Sequence, residues 1–105
     1  MLYQQGDVLI EKVDSKKLPK IKTKKERDGQ RMILVLGELT GHAHSTIDDV
    51  EVFVGEDGQT YMKAAKGATI THEQHGPLTV EPGTYQIRQA REYDHFQEES
   101  VRVRD

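Results

Sequence analysis

The sequence predicts an all-β fold, a small β-barrel or β-sandwich with mostly antiparallel strands. No window of the chain keeps an apolar period of 3.6 residues, so long amphipathic helices are not expected. Short segments of alternating or continuous apolar residues recur instead, separated by turn residues at intervals of about 8–12 residues. With 105 residues, the chain is long enough for one domain, and we expect a single β domain over residues 1–105.

Two short apolar segments begin the predicted sheet, Asp7–Val13 (DVLIEKV) and Arg31–Leu36 (RMILVL). Both are short and end in turn residues, which is typical of strands. Between them lies a charged excursion over about residues 14–30. Its stretch Lys20–Lys25 alternates Lys with Ile and Thr, and Asp28-Gly29 is a tight-turn signal. We therefore expect a long, basic, hairpin-like excursion.

The rest of the chain continues the pattern of short strands and turns. The segment Gly41–Ile47 (GHAHSTI) is compatible with a strand that projects both of its histidines to one side. The segment Gln89–Phe96 is the one place where a short helix or a loop is expected. We predict further strands at Val50–Val54, Thr60–Ala64, Gly67–Thr71, Leu78–Val80, Thr84–Gln89 and Ser100–Arg104.

Composition excludes several classes of protein. The chain has no cysteine, which excludes disulfides, iron–sulfur clusters, thiol catalysis and Cys-ligated zinc. Its longest uncharged apolar run is Met32–Leu36, far shorter than a membrane span, so we expect no membrane association. Residues 1–7 lack the basic-then-apolar pattern of a secretory signal, and we expect a cytoplasmic protein.

The net charge of −3 conceals a strong asymmetry along the chain. Residues 11–31 carry nine of the 15 Lys and Arg residues and only four of the 18 Asp and Glu residues. Such a basic segment predicts contact with an anionic partner, and Lys16–Arg31 would serve as the footprint for a nucleic acid. An acidic protein or another copy of this chain, in a homo-oligomer, would fit the same segment.

Four of the five histidines fall into two close pairs, His42 with His44 and His72 with His75. An i, i+2 pair on a strand projects two imidazoles from one face, about 7 Å apart along the chain. A turn at Gly76-Pro77 would bring the second pair together as well. Neutral imidazole is a good ligand for Zn, Mn, Fe or Ni. We predict a divalent metal site made by His42, His44, His72 and His75, or else four surface histidines without a shared role.

Carboxylates and arginines complete the predicted site. Glu73 stands between the second pair of histidines, where it would be a further ligand or a catalytic acid/base, and His75 is a second catalytic candidate. Arg88 and Arg91 are candidates for holding a phosphate or carboxylate of a substrate, although each would equally form an ion pair on an acidic surface. Tyr85 is expected in the core, and His95 is expected to be solvated.

Part of the chain resembles the first motif of the cupins, a family of small β-barrels that often bind one metal ion. The resemblance rests on Gly37, His42-Ala43-His44, Asp48 and Gly55, in which Asp replaces the usual Glu and one residue is missing after the first Gly. It implies that His42 and His44 are metal ligands, with Asp48 as a third. Asp49 is a neighbouring carboxylate candidate.

The sequence also resembles uncharacterised small bacterial proteins. The shared features are Gly-His-Ala-His at residues 41–44, His-Glu-x-His at residues 72–75 and Pro-Gly-x-Tyr at residues 82–85. No function follows from this second resemblance.

Three hypotheses for function follow from these residues. The first is a metal-dependent hydrolase that acts on a small polar or phosphorylated substrate. The second is a metal-independent ribonuclease or RNA-binding protein, in which the histidines act as acid and base. The third is a structural or assembly module without catalytic activity.

Overall fold

The computed structural model describes residues 1–37 and 42–89 of the chain. Arg91, His95, the predicted strand Ser100–Arg104 and most of the segment Gln89–Phe96 lie outside these described residues. Within them a single 3-10 turn, Ser15–Lys17, accompanies ten strands: β1 Leu2–Gln5, β2 Val8–Val13, β3 Ile21–Lys24, β4 Met32–Leu36, β5 Ala43–Thr46, β6 Glu51–Gly55, β7 Thr60–Ala64, β8 Ala68–Ile70, β9 Leu78–Val80 and β10 Gly83–Gln89.

The described strands form one large sheet and two small ones. The large sheet has six strands in the order β1-β2-β10-β7-β6-β3, and the small sheets are β4-β5 and β8-β9. Every pairing recorded between these strands is antiparallel. The predicted all-β, mostly antiparallel fold is therefore confirmed, with β1 and β3 at the ends of the strand order in the large sheet.

The core lies between one face of the large sheet and the two small sheets. Because alternate residues of a strand share a face, Val8 and Ile10 of β2 point into it together. The buried cluster joins them to other strands of the large sheet through Met62, Tyr85 and Ile87, and to the small sheets through Leu34, Ile70 and Val80. Full burial of one such aliphatic side chain contributes about 1.5–3 kcal/mol, so this cluster is the main source of stability.

The basic excursion adds a strand to one end of the large sheet instead of folding back on its neighbours in sequence. Its strand β3 pairs with β6, and all four of its residues are exposed. Lysines on an edge strand discourage pairing with a further strand, which explains how β3 can end the sheet. At the tip, Asp28 and Arg31 form a bridge around Gly29, whose φ of +66° favours glycine. The hairpin is thus confined to the tip.

Other pairings agree only in part with the order of the predicted strands. The predicted strands Val50–Val54 and Thr60–Ala64 are present as β6 and β7, which pair with each other. The strands β9 and β10 follow each other along the chain, but β9 pairs with β8, whereas β10 pairs with β2 and β7. None of the described segments contains a helix long and apolar enough to cross a membrane.

Candidate metal centre

The two histidine pairs are brought together by one antiparallel bridge. His42 immediately precedes β5 and His44 lies within it, two residues on. Beyond them, Ser45 exchanges two backbone hydrogen bonds with Thr71, with N···O distances of 3.0 and 2.8 Å. Because the strands run in opposite directions, the residues that follow Thr71 lie beside those that precede Ser45. Residues 72–75 therefore meet residues 42–44.

His72 occupies the centre of the resulting histidine cluster. Its ring centroid lies 4.3 Å from that of His44, 4.7 Å from that of His75 and 5.6 Å from that of His42. The rings of His44 and His75 are farther apart, at 6.2 Å. All four histidines line one cleft of about 190 Å³, together with Asp7, Val35, Gly37, Gln74 and Gln89.

Two histidines of the cluster and the neighbouring Glu73 have ligand atoms close enough to share one metal ion. These are His42, His72 and Glu73, whose ligand atoms all lie within 4.8 Å of one another. Ligands bound at about 2.1 Å from one ion lie at most about 4.2 Å apart. Side-chain rotations that move the ligand atoms by less than about 1 Å would therefore close this group around a cation. His44 and His75 lie beside this trio.

The carboxylate of Glu73 is held by the backbone. Its Oε1 accepts a hydrogen bond of 2.9 Å from the N–H of Ala43. This hydrogen bond is the main cause that lowers the pKa of Glu73 below its usual range, with smaller contributions from the neighbouring His42 and His72. Glu73 is therefore ionised at neutral pH, which suits a ligand for a cation.

His44 is the buried member of the cluster, and Gln5 holds it in place. The Nδ1 of His44 lies 2.8 Å from the Oε1 of Gln5. The Nε2 of Gln5 donates to the carbonyl oxygens of Ile70 and Gly76, at 2.9 Å each. Burial, followed by the proximity of His72, lowers the pKa of His44. The ring is therefore neutral at neutral pH.

His72 and His75 are held by different local contacts. The Nδ1 of His72 accepts a hydrogen bond of 3.0 Å from the backbone N–H of Gln74. His75 packs against Gly6, whose φ is +60°, and a Cβ at Gly6 would lie 2.5 Å from the Nε2 of His75. The turn between β1 and β2 therefore leaves room for His75 because residue 6 has no side chain.

Several predicted site residues lie elsewhere. Arg88 pairs with Glu11 at 3.0 Å and lines a larger cleft of about 550 Å³, which shares Val35 and Gln89 with the histidine cleft. Asp48 lines a third cleft, and its Oδ2 accepts hydrogen bonds from the N–H of Thr69 and the hydroxyl of Thr46. These hydrogen bonds give Asp48 a structural role, away from the lining of the histidine cleft.

Tyr85 is fully buried, as expected of a core residue. Its hydroxyl donates to the carbonyl oxygen of Glu81 at 2.6 Å, and burial raises the pKa of Tyr85 to about 12.

Sequence reasoning missed the contribution of residues 5–7 to the site. Gln5 and Asp7 lie more than 30 positions before the first histidine, and their types are common on any surface. The one signal was the Gly6-Asp7 dipeptide, which marks a turn without indicating what packs against it.

The fold and the site together define an all-β domain with a cleft lined by histidines. The chain belongs to the family described as Domain of unknown function (DUF8820), whose model matches residues 4–90. The matched span includes both histidine pairs, Glu73 and residues 5–7. Neither a curated protein nor a solved structure matches this chain.

Proposed function

We propose that the histidine cleft binds a divalent metal ion and hydrolyses a small polar or phosphorylated substrate. The observation that supports this best is the convergence of His42, His72 and Glu73, whose ligand atoms lie within 4.8 Å of one another. His42 lies 30 residues before His72, so the fold, and not local sequence, brings His42 to the adjacent pair His72 and Glu73.

The donor set favours a borderline metal ion. Two imidazoles and a carboxylate are the ligands of several catalytic zinc sites, and Mn, Fe and Ni accept the same donors. Three protein ligands leave a coordination position open, as catalytic sites require. A divalent ion bound there would act as a Lewis acid toward a carbonyl or phosphoryl oxygen.

Glu73, His75 and two arginines supply the other roles in this proposal. Glu73, already ionised, holds the cation and orients the substrate, and His75, which is exposed, takes up or delivers the proton. Arg88 lines the adjoining cleft, where it would bind an anionic group of the substrate once it exchanges its partner Glu11. Arg91 follows it in sequence and is proposed for the same role.

Metal binding is tested by calorimetric titration of the purified, metal-stripped protein with Zn²⁺, Mn²⁺, Fe²⁺ and Ni²⁺. We expect stoichiometric binding by the wild type and its loss in a His42→Ala/His72→Ala double variant. His95→Ala removes a histidine outside both pairs and serves as the matched control, with unchanged binding. Absence of binding by the wild type to all four ions would overturn the proposal.

A second candidate function, metal-independent cleavage of RNA, rests on the opposite hydrogen-bond roles of two adjacent rings. Because Gln5 commits its Nε2 to two carbonyl oxygens, its Oε1 accepts from the Nδ1 of His44, whereas the Nδ1 of His72 accepts from the N–H of Gln74. The two rings therefore carry their hydrogens on different nitrogens. One ring then offers a proton acceptor and the other a donor, 4.3 Å apart between centroids. The exposed lysines of β3 would bind phosphates.

The two candidates differ in their response to chelation. Cleavage of RNA that survives EDTA and binding that weakens steeply with salt would favour the second candidate. Hydrolysis of small phosphate esters that EDTA abolishes and Zn²⁺ or Mn²⁺ restores would favour the first.

A further inference from the structure

The side-chain amide of Gln5 is oriented by its own hydrogen bonds. Its Nε2 donates to two carbonyl oxygens, those of Ile70 and Gly76, and carbonyl oxygens can only accept. The amide nitrogen is thus committed to these two partners, and Gln5 presents its oxygen to His44, 2.8 Å from Nδ1. Because that oxygen also can only accept, Nδ1 of His44 must carry a hydrogen.

The remaining nitrogen of His44 faces a carboxylate in the cleft. Its Nε2 lies 3.9 Å from the Oδ1 of Asp7, and the His44 side chain is 5% exposed. Two ligands of one ion bound at about 2.1 Å lie about 3.0–4.2 Å apart, so this separation fits a cation between the two atoms. Asp7 and His44 line the same cleft as His42 and His72.

We infer that Gln5 is a positioning residue that fixes the hydrogen of His44 on Nδ1, so that His44 Nε2 and Asp7 Oδ1 are left to hold a second cation in the histidine cleft, beside the one proposed for His42, His72 and Glu73. This inference rests on the proposed metal-binding function and adds to it. Hydrogen-bond partners of ligand histidines select the ring nitrogen that is left for the metal, and their removal weakens binding about 10–100-fold.

The position of Gln5 explains how a single side chain can orient the ring of His44. It is buried at the end of β1, and its three hydrogen bonds join β5, β8 and the loop that carries His72 and His75. The same side chain therefore holds the ring of His44 and the backbone on both sides of His72 and His75.

The first test reads the tautomer of His44 in the metal-free protein, by two-bond ¹H–¹⁵N correlation spectra of the histidine rings. The wild type is expected to show the hydrogen on Nδ1. Gln5→Met should move the hydrogen to Nε2, toward Asp7, whereas Gln4→Met, at the exposed neighbour on the same strand, should keep the wild-type tautomer. A hydrogen on Nε2 in the wild type would overturn the inference whether or not metal binds.

The second test measures Zn²⁺ affinity by calorimetry. Asp7→Asn and Gln5→Met should each weaken binding of the second Zn²⁺ about 10–100-fold. The matched controls are Asp49→Asn, an exposed carboxylate in another cleft, and Gln4→Met, the exposed neighbour on the same strand. Wild-type affinity in Asp7→Asn, which does not touch the hydrogen bonds of Gln5, would refute the inference and leave the proposed function standing. Complete absence of Zn²⁺ binding by the wild type would instead overturn the proposed function.

Discussion

The Glu73 carboxylate accepts a hydrogen bond from the backbone N–H of Ala43, with an N···O distance of 2.9 Å. Ala43 lies between His42 and His44, and Glu73 lies with Gln74 between His72 and His75. The hydrogen bond therefore links the centres of the two histidine pairs and places the charge of Glu73 beside His42 and His72.

Glu73→Gln should remove the negative charge of this side chain and keep its hydrogen bond to Ala43. Gln retains an oxygen that accepts from Ala43, so the melting temperature of the metal-free protein should change little. Loss of the negative ligand should weaken Zn²⁺ binding at least tenfold, or about 1.4 kcal/mol. Calorimetric titration beside a thermal melt measures both quantities. Equal Zn²⁺ affinity in the variant and the wild type would remove Glu73 from the ligand set.

Gly6→Ala should lower stability, and it should also lower metal affinity because the His75 ring lies 4.7 Å from the ring of the proposed ligand His72. The left-handed φ of +60° costs a non-glycine residue about 1–2 kcal/mol, and the new Cβ would displace the His75 ring. Gly29→Ala is the matched control, because Gly29 has a φ of +66° and nothing lies near its Cβ position. Denaturant unfolding should show a similar loss in both variants, whereas Zn²⁺ affinity should fall only in Gly6→Ala. Unchanged affinity in Gly6→Ala would show that the position of His75 is irrelevant to binding.

Metal binding by His72 should abolish the hydrogen bond that its Nδ1 accepts from Gln74. A neutral imidazole that binds metal through Nδ1 has no lone pair left there, and one that binds through Nε2 carries its hydrogen on Nδ1. The amide resonance of Gln74 should therefore shift on addition of Zn²⁺. The amide of Gln59, which donates to Asp57 Oδ1 with the same i+2 spacing, is the internal control. An unshifted Gln74 resonance at saturating Zn²⁺ would exclude His72 as a ligand.

Two tyrosines should ionise at unusually high pH. Burial, and for Tyr61 also the hydrogen bond of 2.6 Å to Asp57, raises the pKa of Tyr61 and of Tyr85 to about 12. Because both folded pKa values exceed the ordinary value of 10.0, their contribution to stability is complete below pH 10 and is lost between about pH 10 and 12.

Tyrosinate absorbance during an alkaline titration tests this prediction. Asp57→Asn removes the neighbouring charge and should lower the pKa of Tyr61 without affecting that of Tyr85. In Tyr85→Phe the ionisation of Tyr85 is absent from the titration curve, which identifies that transition in the wild type. Complete tyrosine ionisation near pH 10 in the folded protein would contradict the prediction.

Much of the fold was predictable because strand signals are local. Alternation in residues such as Val50–Val54 and Thr60–Ala64, with a turn between them, marks a hairpin wherever it occurs. The partner of a strand is decided by contacts that are distant in sequence, which is why β3 lies against β6 and β9 against β8. Pairing of β9 with β8 buries Ile70 and Val80 in the common core, whereas the exposed residues of β3 are joined to β6 through the backbone. No local pattern encodes either contact.

The histidine pairs could be recognised from the local sequence, whereas the geometry of the site depends on contacts that are distant in sequence. Residue type and spacing were enough to single out His42, His44, His72, His75 and Glu73, because metal-binding chemistry depends on few side chains. Which of them converge, and which nitrogen of His44 faces the cleft, depends on the bridge between Ser45 and Thr71 and on the buried amide of Gln5. These are contacts between segments separated by 26 and 39 residues. Only the folded chain brings such segments within hydrogen-bonding distance, since a hydrogen bond requires its two atoms to lie about 3 Å apart.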